Sequence, residues 1–288
     1  MISYDPKSWS LLLMIKGALL RKLIPGMLII GSISVFLCYL HMEKKISFLV
    51  MSNALPGYMG AALGLLLVFR NNTAYEKWWE ARKEVGGLVN VSRNIAISIN
   101  GFLDKGNPEK HKIANLVASF AFVMKGHLRN NVKMQEVHIL EHEDYKIVEK
   151  SEHKPTAIAN IIMSKIEALW KNKHVSDVQQ IVLVNQVTTM VDIVGKCERI
   201  KNTPIPIAYA FLLKFFIIVY VMILPFGLLD ELRWWSVPLS LILYYIMMSI
   251  VITAEEIEDP FGHDLNDLPM DEIAVNIRKN IMEIVKYE

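Results

Sequence analysis

The feature that most limits this chain is a set of three stretches, 24–42, 51–69 and 234–253, in which 19, 19 and 20 consecutive residues include no Asp, Glu, Lys or Arg. At about 1.5 Å per residue, each stretch wound as a helix reaches across a hydrocarbon core of roughly 30 Å. Hydrocarbon offers no water to backbone N–H and C=O groups, and a helix satisfies them within one segment. A fourth stretch, 206–229, is interrupted only by Lys214, near enough to one end for its ammonium to snorkel to the interface. Hydrophobic content of 53% and a mean hydropathy of +0.31 exceed what a soluble domain carries. The sequence predicts a multi-pass membrane protein with four transmembrane helices.

Basic residues orient it. Lys7, Lys16, Arg21 and Lys22 precede the first stretch, Arg70, Lys77, Arg82 and Lys83 follow the second, and Lys196, Arg199 and Lys201 precede the third. The opposite loops, 43–50 and 230–233, hold three Lys or Arg together. The positive-inside rule puts both termini and the middle segment in the cytoplasm. The first stretch is too long for a signal peptide and has no small-residue cleavage site. Cys38 sits in a transmembrane stretch and Cys197 on the cytoplasmic side, so no disulfide framework is expected.

Between the second and third stretches lie 134 residues, 70–203, with 20 basic and 15 acidic side chains. Breaks are expected at Asp104-Lys105-Gly106-Asn107-Pro108, at Lys154-Pro155 and at Thr203-Pro204-Ile205-Pro206, because Pro and Gly end helices. Between the breaks the apolar period is helical; in 177–200, Ile181, Val184, Val187, Val191 and Val194 recur every three or four residues. From Gly60 to Phe102 there is no Pro, so the second transmembrane helix is expected to run on, with Trp78 and Trp79 in cytoplasmic packing. The architecture is therefore all-α, with transmembrane helices continuing into a cytoplasmic helical bundle of residues 70–203 joined by a C-terminal segment, 254–288. In the last helix Ile273, Ile277, Ile281 and Ile284 form one packing stripe.

The second stretch ends GAALGLLLVFRNN, residues 60–72. Gly60 and Gly64 form GxxxG, which lets two helix backbones approach closely. Ala61, Leu65 and Phe69 stand at i, i+4 and i+8 and share one face. Gathered round an axis, that face makes an uncharged constriction of the kind that gates ions by dewetting. Two other patterns concern metals. His138, Glu141 and His142 read H-x-x-E-H, the inverted zinc-peptidase pattern, in a strongly polar stretch for which a solvated loop is the plainer reading. The segment 255–272 holds eight carboxylates in eighteen residues; Asp264 and Asp267 follow a Pro-Phe-Gly turn, where oxygen ligands suit Ca²⁺, and capping of a charged connector is the plainer reading. His111, His127 and His174 stand isolated in the sequence.

Three motifs, FRNNTAYEKWWEARK at 69–83, CERIKNTPIPIAY at 197–209 and EEIEDPFGHDLNDLP at 255–269, closely resemble signatures of the bestrophin family in its short prokaryotic form. The resemblance covers essentially the whole chain. It implies a five-fold symmetric homo-oligomer, a pentamer with an axial pore, in the inner membrane of a bacterium. Ala61, Leu65 and Phe69 become the three apolar rings of the pore neck, with Ala61 smaller than is usual at the first ring. The helix before CERI supplies a second constriction, the cytoplasmic aperture, at Ile181. Animal members clasp Ca²⁺ at the acidic segment, which implies side-chain oxygens of Asp264 and Asp267 and carbonyls near Glu256 and Asp259. The expected function is passage of small monovalent ions, with no catalysis, no required cofactor, Ca²⁺ as an option, and the lipid bilayer, permeant ions and further copies of the chain as partners. No nucleic-acid partner is expected. The competing readings are a membrane-bound zinc hydrolase using His138, Glu141 and His142, and a non-conducting membrane scaffold.

Overall fold

A computed structural model describes residues 18–44, 54–137 and 140–286. Every regular element among them is helical: α1 (Ala18–Lys44), α2 (Ala54–Phe102), α3 (Glu109–Leu128), α4 (His142–Lys150), α5 (Lys154–Lys171), α6 (Asp177–Asn202), α7 (Ile207–Leu232), α8 (Ser236–Glu258) and α9 (Met270–Lys286). Short 3₁₀ turns occupy Met134–Val137 and Arg233–Trp235. The expected helix breaks are present. Gly106, at φ +78°, makes the turn after α2, a left-handed conformation that glycine adopts without a Cβ penalty. α5 starts at Lys154 with Pro155 in its first turn, where the missing N–H costs nothing. Pro206 caps α7.

Two compact units divide the described residues. The first is drawn from residues 18–76 and 204–258. In it α1 packs on α7 and α8, and α7 on α8. Leu23, Ile30, Leu63, Leu67, Leu213, Ile217, Leu224 and Tyr244 form its core. The segments Leu20–Glu43 and Ile207–Glu258, the latter containing α7 and α8, are long and apolar enough to cross a membrane. Of the expected second stretch, residues 51–53 lie outside the described residues, and α2 begins at Ala54. Lys214 is ion-paired, its Nζ 2.6 Å from Glu255 Oε1, a partner that interfacial snorkelling alone does not foresee.

The second unit comprises residues 77–203 and 259–286. At its centre is α3, buried on every side from Leu116 to Gly126, as expected of a helix that is apolar all round. Around it stand α5, α6 and α9, with Ile95 and Ile99 of α2, Phe120 of α3, Ile162 and Ile166 of α5, and Ile277 and Ile281 of α9 in one core. The helical period expected of residues 177–200 is present in α6. In α6 the buried face is Leu183, Val187, Met190, Val194 and Cys197, whereas Ile181 and Val191 are exposed. Apolar residues are so dense there that two neighbouring helical stripes satisfy the same three-and-four spacing, and packing selects between them.

Candidate ion pathway

α2 is 49 residues long, about 74 Å at the helical rise, and contributes residues to both units. Over residues 60–74 its two faces differ in kind. Leu63, Leu67, Arg70 and Ala74 are buried, spaced four, three and four apart, as one helical face requires. Opposite them Ala61 is exposed, Leu65 is 58% exposed and Phe69 56% exposed. The uncharged face predicted at i, i+4 and i+8 is thus more than half exposed at Leu65 and Phe69 within the protomer. The two glycines have different roles. A Cβ on Gly60 would stand 3.0 Å from the Tyr220 hydroxyl, so its smallness serves packing against α7, while a Cβ on Gly64 would meet nothing within 4 Å.

Arg70, the first charge after the apolar stretch, does not face water. Its side chain turns away from the apolar face and is only 2% exposed as a residue. Its Nη2 lies 2.5 Å from Glu258 Oε2, and Glu258 Oε1 accepts the Ile205 backbone N–H at 2.7 Å. A buried charge is tolerable only when paired and hydrogen-bonded; here the pair ties α2 to the end of α8 and to the Pro-flanked entry of α7. Nothing within the motif around Arg70 names this partner, which is 188 residues away.

The expected aperture lies in the first turns of α6. Ser176 caps this helix through a reciprocal capping box with Gln179, and the Trp170 Nε1–H donates to Asp177 Oδ1 at 2.7 Å. Each interaction fixes where the helix starts. On this well-defined end Val178, Ile181 and Val182 are all exposed, Ile181 by 59%.

The acidic segment splits. Glu256 lies in the last turn of α8 with its carboxylate 3.7 Å from Lys22, and its carbonyl is among the four that a helix end leaves without intrahelical partners. In the loop that follows, Asp267 Oδ2 accepts the Asp264 N–H at 2.6 Å, and Asp267 Oδ1 is buried without a hydrogen-bond partner. A Cβ on Gly262 would meet Asp267 Oδ2 at 2.6 Å and Asp259 Oδ2 at 3.3 Å, so two carboxylates converge on a space only glycine leaves open. Burial, with the nearby Asp264 and Asp259 carboxylates, pushes the Asp267 carboxyl up to about 6. An unpartnered oxygen in such a setting fits a hard cation. Trp78 donates from Nε1 to the Asn266 carbonyl at 3.0 Å, and Arg129 donates from Nε to the Phe261 carbonyl at 3.0 Å, pinning the loop on both sides. The expected packing role of Trp78 is thereby specified.

Of the zinc-peptidase pattern, His138 lies outside the described residues. His142 opens α4, and Glu141 is held by Lys112 at 3.2 Å and Lys165 at 3.6 Å, cations where a zinc site would place a metal. A different trio converges instead: His127, His153 and Glu198. The isolation of His127 in the sequence does not survive folding.

Two segments long and apolar enough to cross a membrane, with an exposed uncharged face on α2, fit a multi-helix membrane protein. The family model described as Bacterial/Fungal Bestrophin protein matches residues 1–283, and the chain belongs to the bestrophin family. It is 33% identical to the voltage-dependent anion channel-forming protein sll1024 of Synechocystis sp., across 99% of this chain and 94% of that protein. It is 31% identical to the voltage-dependent anion channel-forming protein YneE of Escherichia coli, across 78% of this chain and 74% of the relative. The fold matches that of a bacterial Bestrophin homolog from Klebsiella pneumoniae with a TM-score of 0.87 at 24% identity, covering 92% of this chain and 99% of the other.

Proposed function

We propose that this protein is a bestrophin-type ion channel, a homopentamer in the bacterial inner membrane that passes small monovalent ions through an apolar neck and a cytoplasmic aperture. The transmembrane helices occupy about 24–42, 51–69, 206–229 and 234–253, with both termini in the cytoplasm. Ala61, Leu65 and Phe69 form the neck and Ile181 the aperture. The observation that carries this reading is the exposed face of α2. Within one protomer Leu65 and Phe69 are uncovered, while the opposite face is packed and holds its one charge, Arg70, in a buried ion pair. A constriction lined only by apolar rings holds back ions by excluding water. The relatives named as anion channel-forming proteins support the channel reading and favour anions. The neck is bare of charge and imposes no sign of its own.

Planar-bilayer recording of purified protein tests this. Leu65→Ala and Phe69→Ala are each expected to raise single-channel conductance severalfold, and unchanged currents in both would remove the neck assignment. In asymmetric KCl, reversal potentials that follow the Cl⁻ equilibrium potential support anion passage; reversal near the K⁺ potential overturns the sign and leaves the channel intact.

Conduction of this passive kind requires no cofactor. Ca²⁺ at the acidic segment is an accessory part of the proposal, held by the carboxylates of Asp264 and Asp267 and by carbonyls near Glu256 and Asp259. Its support is the unpartnered Asp267 Oδ1 and the convergence of Asp259 and Asp267 on Gly262. Calorimetric titration with Ca²⁺ should give binding that Asp267→Asn abolishes.

A further inference from the structure

Within the second unit, three residues from three helices aim their ligand atoms at one point. His127 lies in the last turn of α3, His153 is the residue that caps α5, and Glu198 stands in the C-terminal half of α6. Glu198 Oε1 lies 2.5 Å from His127 Nε2 and 2.7 Å from His153 Nε2. The two rings are 4.6 Å apart between centroids and tilted by 53°, so they converge on the carboxylate rather than stack. All three ligand atoms fall within 4.8 Å of one another, and each residue is part-buried. Burial would push the Glu198 carboxyl up, but hydrogen bonds from His153 and His127 outweigh it and hold the group below its ordinary value.

We propose that His127, His153 and Glu198 form a binding site for a borderline transition-metal cation, Zn²⁺ by chemical class, that braces α3, α5 and α6. Two imidazole nitrogens and one carboxylate oxygen make a three-ligand set of the kind that holds Zn²⁺ with a water in the fourth position. The nitrogen ligands select Zn²⁺, Co²⁺ or Ni²⁺ over Ca²⁺ and Mg²⁺, which prefer oxygen alone. A tetrahedral ion with bonds of about 2.0 Å holds its ligands roughly 3.3 Å apart. The present nitrogen–oxygen separations must therefore open by roughly 0.7 Å, a small rotation of the part-exposed Glu198 side chain. Space for the water exists, because a cavity of about 100 Å³ is lined by His153, Glu198, Thr156 and Gly195 among others.

His153 also has a group that orients it. Its Nδ1 lies 2.6 Å from the Thr156 hydroxyl and 3.2 Å from the Thr156 backbone N–H. Without metal, Nδ1 accepts and Nε2–H donates to Glu198. With metal on Nε2 the proton moves to Nδ1, which gives up the cap bond from the Thr156 backbone N–H and donates to the Thr156 hydroxyl instead. Such outer hydrogen bonds fix the tautomer and direction of a metal-bound imidazole. Thr156 is a positioning residue here, not a ligand.

The test uses the full chain in detergent after chelator treatment, with Co²⁺ and Zn²⁺ as probes. Wild type should bind one ion per protomer, Co²⁺ giving the visible absorption of a tetrahedral site, and Zn²⁺ should raise the melting temperature. Glu198→Gln keeps an acceptor for both rings and so should remain folded, yet lose the Co²⁺ spectrum and most of the Zn²⁺ shift. His153→Asn should do the same. Thr156→Val should weaken affinity about 10-fold or more while keeping the stoichiometry. Asp267→Asn should leave Co²⁺ binding unchanged. Absence of stoichiometric binding to wild type, or binding that survives Glu198→Gln, overturns the site and leaves a hydrogen-bonded His–Glu–His cluster. Binding lost only in Asp267→Asn transfers the ion to the acidic loop and equally overturns it.

Discussion

Exposed apolar side chains mean different things in the two units. The first unit exposes many: Leu28, Ile29, Phe36, Phe211, Phe215 and Ile242 are all uncovered, as a hydrocarbon-facing surface requires. Against that background the exposure of Leu65 and Phe69 does not by itself single out a pore. Their assignment rests on the shared face, the absence of charge and the packed opposite side. The second unit is polar outside, and exposure there is informative because water penalises it. Val178, Ile181 and Val182 gather on the first turns of α6, the surface that another copy of the chain or a narrow ion path would cover.

The largest effect that can test this contrast is expected at Arg70. Arg70→Ala leaves Glu258 buried without its cation, a change that costs about 3–5 kcal/mol when one partner of a buried pair is removed. Thermal melts in detergent should show a large fall, with lysine an incomplete substitute because it cannot reproduce the guanidinium geometry. Next in size, Ile162→Ala in the core of the second unit should cost about 2–5 kcal/mol. Ile181→Ala on the exposed turn should stay within about 0.5 kcal/mol in the same measurement, while bilayer recordings show altered rectification or selectivity. If Ile181→Ala destabilises as much as Ile162→Ala, the surface reading of that turn is wrong.

Two carboxyls of the second unit should give pH-dependent effects of opposite sign. Burial alone would raise Asp271, but hydrogen bonds from Arg129 and Lys125 outweigh it and hold its carboxyl at about 2. Its contribution is present above the ordinary value of 3.8 and is lost as pH falls from there toward 2. Asp267, raised to about 6, works the other way: the folded state holds its proton more tightly, so this residue favours folding more as pH falls from 6 toward 3.8 and opposes it above. Melting curves across that range should flatten on the acid side in Asp271→Asn. At neutral pH Asp267→Asn should melt slightly higher than wild type in the absence of divalent cations.

Much of this was legible in residue order. The charge-free stretches marked where α1, α2 and α8 lie, Gly106, Pro155 and Pro206 marked the breaks, and Ala61, Leu65 and Phe69 shared a face by spacing alone. The partner of Arg70 was not legible, nor was the buried stripe of α6, where Ile181 and Leu183 lie on competing apolar lines. His127 is 71 residues from Glu198, and His153 is 45 from it, with no spacing rule connecting them.

The sequence by itself determined that this is an all-helical membrane protein with an uncharged face on its longest helix, because helical period, hydrocarbon length and Pro or Gly breaks act over a few turns. Only the tertiary structure decided that Arg70 turns to Glu258, that the first turns of α6 remain uncovered, and that two histidines and a glutamate meet. Those outcomes depend on which faces of distant helices pack together, and packing settles that by filling space and pairing buried charge.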